Sequence, residues 1–568
     1  MNRYWALLAA VAGAIILAIV ATTPPGPAPA MAPATAFSAA RAMVDDRVIA
    51  RAPHPTGSPA DADVRAHLVS RLQAMGLETS TPGGAMSAEA AQRLDLWRGH
   101  AAPPPPLVNV LGILPGKDRS LPAVLLMAHH DSVWGSPAAA DDGAGVSSVL
   151  ETVRAIRAAG QPPRDLMVLI TDGEELGLQG AEVFFASDPH RSHVGVIVNM
   201  ETRGGGGRTS MFETGDDNGA MMQLFGSAVN HPVSTSLSVF IYHKLPNSTD
   251  YTVAKKRGYP GFNFAFIGRP SQYHSPTATP DALDQGALQD MGRQVLDLTR
   301  ALLAAPTLPG KAPDRVFFDA FGLIFLSYAA WVGWLLLAIG ALGYGGAAFG
   351  AARLGEVGRG AAMTLALFVG GGLLLFAVNY VSGGYGHTNY YDRLAAIPRL
   401  EVQALLLCLA AAALVWGLIA NGRTTSAGLT AGMALPLFLL GLFAQATAPT
   451  AAFPIVVPLF LGGFAAASWR FAGDRAGTIV SVIAAALVGG YMLALGWQLI
   501  EAVGPDKPMV AALPLALAAV LAAPLVPAVT RRNAVRAAAV LVLLALAIAL
   551  WVRLDPIAPS IPPYSSDH

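Results

Sequence analysis

The chain has 568 residues, 53% of them hydrophobic and only 13% charged, with 37 basic residues balancing 37 acidic ones. That is too apolar for a single soluble globule, and without a basic block interleaved with aromatics it excludes nucleic acid as a partner. The only cysteine, Cys408, excludes an intrachain disulfide framework and every thiolate-based zinc site, so any metal must be held by histidine and carboxylate.

Tyr4 to Thr22 is apolar over about the 20 residues needed to cross a bilayer as a helix, and the prolines at 24, 25, 27 and 29 end it. The run exceeds the apolar core of about 7–15 residues found in cleaved signal peptides. Residues 1–22 are therefore expected to be an uncleaved anchor and residues 23–36 a Pro/Ala linker, with the following domain exported.

Residues 37–310 carry the dispersed charges of a soluble domain. Helix-like segments at 37–51 and 60–75 precede four short apolar runs, Ala123 to Met127, Leu166 to Thr171, Gly195 to Met200 and Gly261 to Ile267. Each has the composition of a strand buried on both faces. Between the first two, Val146, Val149, Leu150, Val153 and Ile156 recur at helical spacing. Strand, helix, strand is a parallel βαβ unit, so the expected fold class is α/β with a mainly parallel sheet.

Open sheets of this kind bind ligands just beyond the carboxyl ends of their strands. His129 and Asp131 follow the first run, Asp172, Glu174 and Glu175 the second, and Glu201 the third, while His274 comes shortly after the fourth. A histidine at one strand end is more often a surface residue than a ligand, and a pair such as Asp141-Asp142 commonly caps a helix. Convergence of such residues from successive strand ends is what points to a metal site. Gly204 to Gly207 lacks the Lys-Ser/Thr of a phosphate loop and reads as flexible backbone.

Residues 317–552 are expected to form an all-α membrane domain of about eight helices, centred near Ala329, Leu373, Leu409, Phe438, Leu459, Ala485, Ala518 and Leu543, followed by a tail at 553–568. With a cytoplasmic N-terminus, the inside turns hold Arg353, Arg359, Arg423, Arg470, Arg475, Arg531, Arg532 and Arg536, and the outside turns only Arg393, Arg399, Lys507 and Arg553. The positive-inside rule then places the 37–310 domain and the tail outside the cytoplasm. Glu401, Glu501 and Asp319 fall at predicted span boundaries, so the spans read as an anchor or platform in the lipid bilayer and not as a transport path.

His129-His130-Asp131-Ser132, Asp141-Asp142-Gly143-Ala144-Gly145, Glu174-Glu175-Leu176-Gly177 and Tyr273-His274-Ser275 resemble the motifs of the M28 family of zinc peptidases, over roughly residues 105–300. Asn199-Met200-Glu201-Thr202-Arg203-Gly204 is similar to the third-strand motif of the membrane-embedded branch, the vacuolar and endoplasmic-reticulum membrane metallopeptidases. The resemblance implies two Zn2+ per chain, with Asp141 bridging them, Glu175 and His274 completing one site, and His129 and Glu201 the other. It implies Glu174 as general base and Asp131 as the partner holding the His129 ring, with Asp142, Asp250 and Tyr273 in supporting positions. Many members have Asp where Glu201 stands and Ser where Ala144 stands. The implied activity is that of a membrane-anchored two-zinc exopeptidase, an aminopeptidase acting on peptides outside the cytoplasm, periplasmic or lumenal. A single-zinc glutaminyl-cyclase-like enzyme and a transporter or receptor carrying an M28-like domain are the alternatives. No motif sets the residue preference or the oligomeric state.

Overall fold

The computed structural model describes residues 2–386, 388–420 and 425–555, and the chain divides into two compact units. A sheet unit comprises Thr23–Ser327 together with Asn389–Ala395, and a helical unit holds the N-terminal helix and the remaining C-terminal helices.

Seven strands form the main sheet of the first unit: β1 Glu78–Ser80, β2 Val110–Leu114, β3 Ala123–His129, β4 Leu166–Thr171, β5 Val194–Thr202, β6 Ser210–Thr214 and β7 Gly261–Phe266. Their order is β1-β2-β4-β3-β5-β7-β6. The central strands β4, β3, β5 and β7 are mutually parallel, and they are the four apolar runs of the sequence. Antiparallel strands β1, β2 and β6 extend the sheet at its two sides, so it is mixed and mainly parallel.

Every residue of β3 and β4 is buried. Alternation then sorts their side chains into two cores. Val124, Leu126 and Ala128 pack with helices α1 (Ala39–Ile49), α2 (Pro59–Ala74), α3 (Gly143–Ala158) and α4 (Gln285–Ala304), whereas Leu125 and Met127 pack with Phe184, Phe185, Tyr251 and Val253. Burying each such aliphatic side chain contributes about 1.5–3 kcal/mol, which holds the strand ends in a fixed frame. The helices start where their caps stand: Ser38 accepts from the Arg41 amide, Ser58 from that of Asp61 with Pro59 in the first turn, and Asp142 from that of Gly145.

One boundary differs from expectation. Residues 315–329 do not open a membrane span; Arg315–Ala320 and Ile324–Ala329 pair as a two-stranded hairpin, β8 and β9, and the sheet unit runs to Ser327. Phe317 and Phe318 are buried, the Phe317 carbonyl accepts from the Ser236 hydroxyl, and Asp319 accepts from the Ser234 and Gly322 amides. The apolar run is thus a hairpin packed on its own unit, and the first apolar helix beyond it begins at Val332.

In the helical unit, eight helices among the described residues are long and apolar enough to cross a membrane: Arg3–Thr22, Leu354–Val381, Ile397–Leu418, Ala427–Thr447, Phe453–Phe471, Gly473–Val503, Pro508–Leu525 and Arg531–Leu554, with a shorter apolar helix at Val332–Ala348. Small residues bring them close. A Cβ on Gly343 would lie 2.3 Å from the Gly463 carbonyl oxygen, and one on Gly490 would lie 2.9 Å from that of Ala14. Leu439, Phe443, Phe464 and Leu543 remain exposed on these helices, as lipid-facing side chains would be. The turn at Arg423 and the tail beyond residue 555, both named in the expected orientation, lie outside the described residues.

Candidate metal centre

β3, β4 and β5 end side by side, and their carboxyl ends carry the candidate ligands. His129 is the last residue of β3, Glu175 follows β4, Glu201 lies near the end of β5, Asp141 immediately precedes the cap of α3, and His274 follows β7. The structure brings all five together as two groups of donor atoms, His129–Asp141–Glu201 and Asp141–Glu175–His274. Asp141 belongs to both. Its Oδ1 lies 3.3 Å from His129 Nε2, and its Oδ2 lies 3.3 Å from His274 Nε2. Glu201 Oε2 is 3.8 Å from His129 Nε2 and Glu175 Oε1 is 3.1 Å from His274 Nε2.

These separations fit metal ions. Ligand atoms about 2.0–2.1 Å from a tetrahedral zinc are about 3.3–3.4 Å apart by geometry, and the separations found, from 3.1 to 3.8 Å, bracket that spacing. Glu175 Oε1 is buried without a hydrogen-bond partner among the described residues, and the donor set is wholly imidazole and carboxylate, as Zn2+ accepts.

The electrostatics agree. Burial raises Glu174, Glu175 and Glu201 above the usual carboxylate range, and their mutual repulsion adds to it. Burial would also raise Asp141, but His129 and His274 hold it down to about 2. Burial opposes charging of His274, yet Glu175 and Asp141 push it up to about 9, and Asp131 and Asp141 similarly raise His129. Four carboxylates against two imidazoles leave a buried pocket short of positive charge.

The other sequence-predicted residues take distinct places. Glu174 is half-buried beside this cluster and belongs to neither donor group. Asp131 is fully buried; its Oδ1 accepts from the Glu174 amide at 3.0 Å and its Oδ2 from the Glu175 amide at 3.2 Å. The His129 ring is held chiefly by the Asp131 backbone, whose carbonyl lies 3.0 Å from Nδ1 while the carboxylate lies 3.5 Å away. Asp142, across a cis bond from Asp141, caps α3 and accepts from the His129 amide at 3.3 Å. Tyr273 stacks on His274, with ring centroids 3.7 Å apart. Asp250 hydrogen-bonds Thr171 at the end of β4.

Three features escaped the sequence reading. Tyr242 has its hydroxyl pKa pushed up by burial and by Glu213, Glu201 and Glu174. Tyr391 lies 117 positions from His274 yet meets its ring; no spacing signal connects them. Gly204 to Gly207 is ordered: Gly206 forms a bridge with Gly268, and a Cβ on Gly204 would sit 2.3 Å from the Gly268 carbonyl oxygen. The glycines serve close backbone approach there.

A third group, Asp61–His130–Asp172, is a salt-bridge cluster. His130 Nδ1 meets Asp61 at 2.9 Å and Nε2 meets the Val108 carbonyl at 3.1 Å, while Arg65 pairs with both aspartates. With both ring nitrogens engaged and a guanidinium in place, it has no lone pair left on the imidazole for an ion.

Residues 109–299 match the sequence profile of Peptidase family M28. The mouse (Mus musculus) Endoplasmic reticulum metallopeptidase 1 is 29% identical over 270 residues, which is 46% of this chain and 29% of that protein. The Candida albicans (strain SC5314) Vacuolar membrane protease is 34% identical over 234 residues, 41% of this chain and 26% of that protein. The matches thus span less than a third of the length of these curated relatives. Among solved structures, an aminopeptidase from Aneurinibacillus sp. strain AM-1 is similar with a TM-score of 0.38 at 14% identity, covering 50% of this chain and 98% of that one. With its motifs at the ends of the parallel strands, the chain carries a domain of Peptidase family M28 over residues 109–299.

Proposed function

We propose that the chain is a membrane-anchored, two-zinc aminopeptidase whose sheet unit works outside the cytoplasm. The observation that carries this reading is the Asp141 carboxylate, each oxygen of which faces a different histidine in a different donor group. His129 and Glu201 would hold one ion and Glu175 and His274 the other, with Asp141 between them. Bound there, a pair of zinc ions supplies a water of lowered pKa and polarises the scissile carbonyl.

Glu174 performs the proton transfers. Its neighbour Glu175 is committed to His274, which leaves Glu174 to take a proton from the attacking water and deliver it to the leaving amine. Asp131 fixes both glutamates by their amides, so this division of labour is set in the backbone. The excess of arginines at 353, 359, 470, 475, 531, 532 and 536 on one set of turns supports an orientation with the sheet unit outside.

The test uses full-length protein in detergent with aminoacyl anilides and matching N-acetylated peptides. Cleavage confined to free N-termini, abolished by chelation and restored by zinc, is expected. Release of C-terminal residues from acetylated peptides would overturn the aminopeptidase assignment. Cyclisation of N-terminal glutamine with one ion per chain would replace the reading by the glutaminyl-cyclase one.

A further inference from the structure

His274 is the most constrained of the five donors. Its backbone φ is +51°, in the left-handed region that non-glycine residues rarely adopt, and Tyr273 stacks against its ring at an interplanar angle of 20°. For Nε2 to offer its lone pair to an ion shared with Asp141 and Glu175, the proton must sit on Nδ1. That nitrogen faces the hydroxyl oxygen of Tyr391 at 3.4 Å.

Tyr391 lies in α5, Tyr390–Ala395, which in sequence falls between the apolar helices Leu354–Val381 and Ile397–Leu418 yet forms part of the sheet unit. It packs on the turn Pro270–Gln272 that leads into His274. Arg203 ties it there. Tyr390 accepts a hydrogen bond from Arg203 Nη2 at 2.6 Å, and that guanidinium sits 5.8 Å from the Tyr273 ring centroid. Tyr391 is itself buried.

We propose that Tyr391 is a positioning residue for the ion that Glu175 and His274 would hold: its hydroxyl oxygen accepts a hydrogen bond from Nδ1–H and so fixes tautomer and ring angle. The His129 ring has the equivalent partner within its own loop, in the Asp131 carbonyl. The two halves of the centre therefore differ in kind, one tied within its own strand end and the other by a segment embedded in the apolar C-terminal sequence. The inference rests on the two-ion reading above.

Cobalt(II) titration of the metal-free full-length chain in detergent, followed by visible absorption, tests it. Tyr391→Phe keeps the ring and removes the hydroxyl. It is expected to weaken one of two binding steps by about 10–100-fold, the usual effect of losing such a partner, with the other step and the metal-free unfolding temperature unchanged. Two unaltered steps in Tyr391→Phe would overturn the inference alone, as would equal weakening of both together with a lower metal-free unfolding temperature. A wild-type chain taking up fewer than two ions would overturn the two-ion reading and the inference with it.

Discussion

Asp131→Asn separates two ways in which this buried carboxylate can matter. If it served mainly to orient His129, the change would release that ring. The ring, however, is bonded at 3.0 Å to the Asp131 carbonyl, which the substitution leaves in place. What changes is the pair of amide bonds, at 3.0 Å to Glu174 and 3.2 Å to Glu175. Asparagine keeps one acceptor and turns an amide group toward the second N–H, so one charge-assisted bond is lost and a donor is stranded. Such a loss costs about 1.5–3 kcal/mol. Expressed in the placement of Glu174, it amounts to roughly a tenfold to hundredfold fall in kcat, at about 1.4 kcal/mol per decade. Steady-state kinetics on an aminoacyl anilide at saturating zinc should show that fall with KM within about twofold of wild type. A kcat within twofold of wild type would refute the reasoning, because the two glutamates would then hold their places without these bonds.

Glu174→Gln is expected to retain its zinc while kcat falls by about 10²–10⁴, the range for loss of a general base, as kinetics alongside elemental analysis would show. Asp142→Ala removes the cap of α3 and the acceptor for the His129 amide, and should lower stability by about 1–2 kcal/mol in a thermal melt. The His130–Asp61 pair gives a pH signature. Burial opposes the charge on His130, but Asp61 raises its pKa to about 9, so this stabilisation is complete below the unfolded value near 6.5 and disappears as pH climbs through about 9. Asp61 is buried too, yet His130 and Arg65 lower its pKa, so its share is present above the unfolded value near 3.8 and is lost as pH falls through the lowered one. The drop in unfolding temperature caused by Asp61→Asn should therefore be greatest between about pH 4 and 6.5 and shrink toward pH 9.

The parallel heart of the sheet was legible because β3, β4, β5 and β7 are almost wholly buried and read as short, mostly apolar runs. The convergence of the candidate donors was legible for a related reason: a buried strand must stop where polar residues begin, and in a parallel sheet those stops face one another. Elements lacking such contrast were not. β1 has three residues and β2 carries Gly112 in its middle, so neither gives a period. α4 passed unremarked although its apolar face is one of the largest in the sheet unit. Phe317 and Phe318 read as the edge of a membrane span because hydropathy ignores pairing, and only the partner strand and the Ser236 contact distinguish a hairpin. Tyr391 was hidden by distance along the chain, since its role arises from packing between α5 and the turn before His274.

The direct test of the two-ion centre is elemental analysis of purified full-length protein beside its Asp141→Asn variant. Two zinc ions per wild-type chain, with at least one lost in the variant, are predicted. One ion in both proteins, or none in either, would contradict a centre bridged by Asp141.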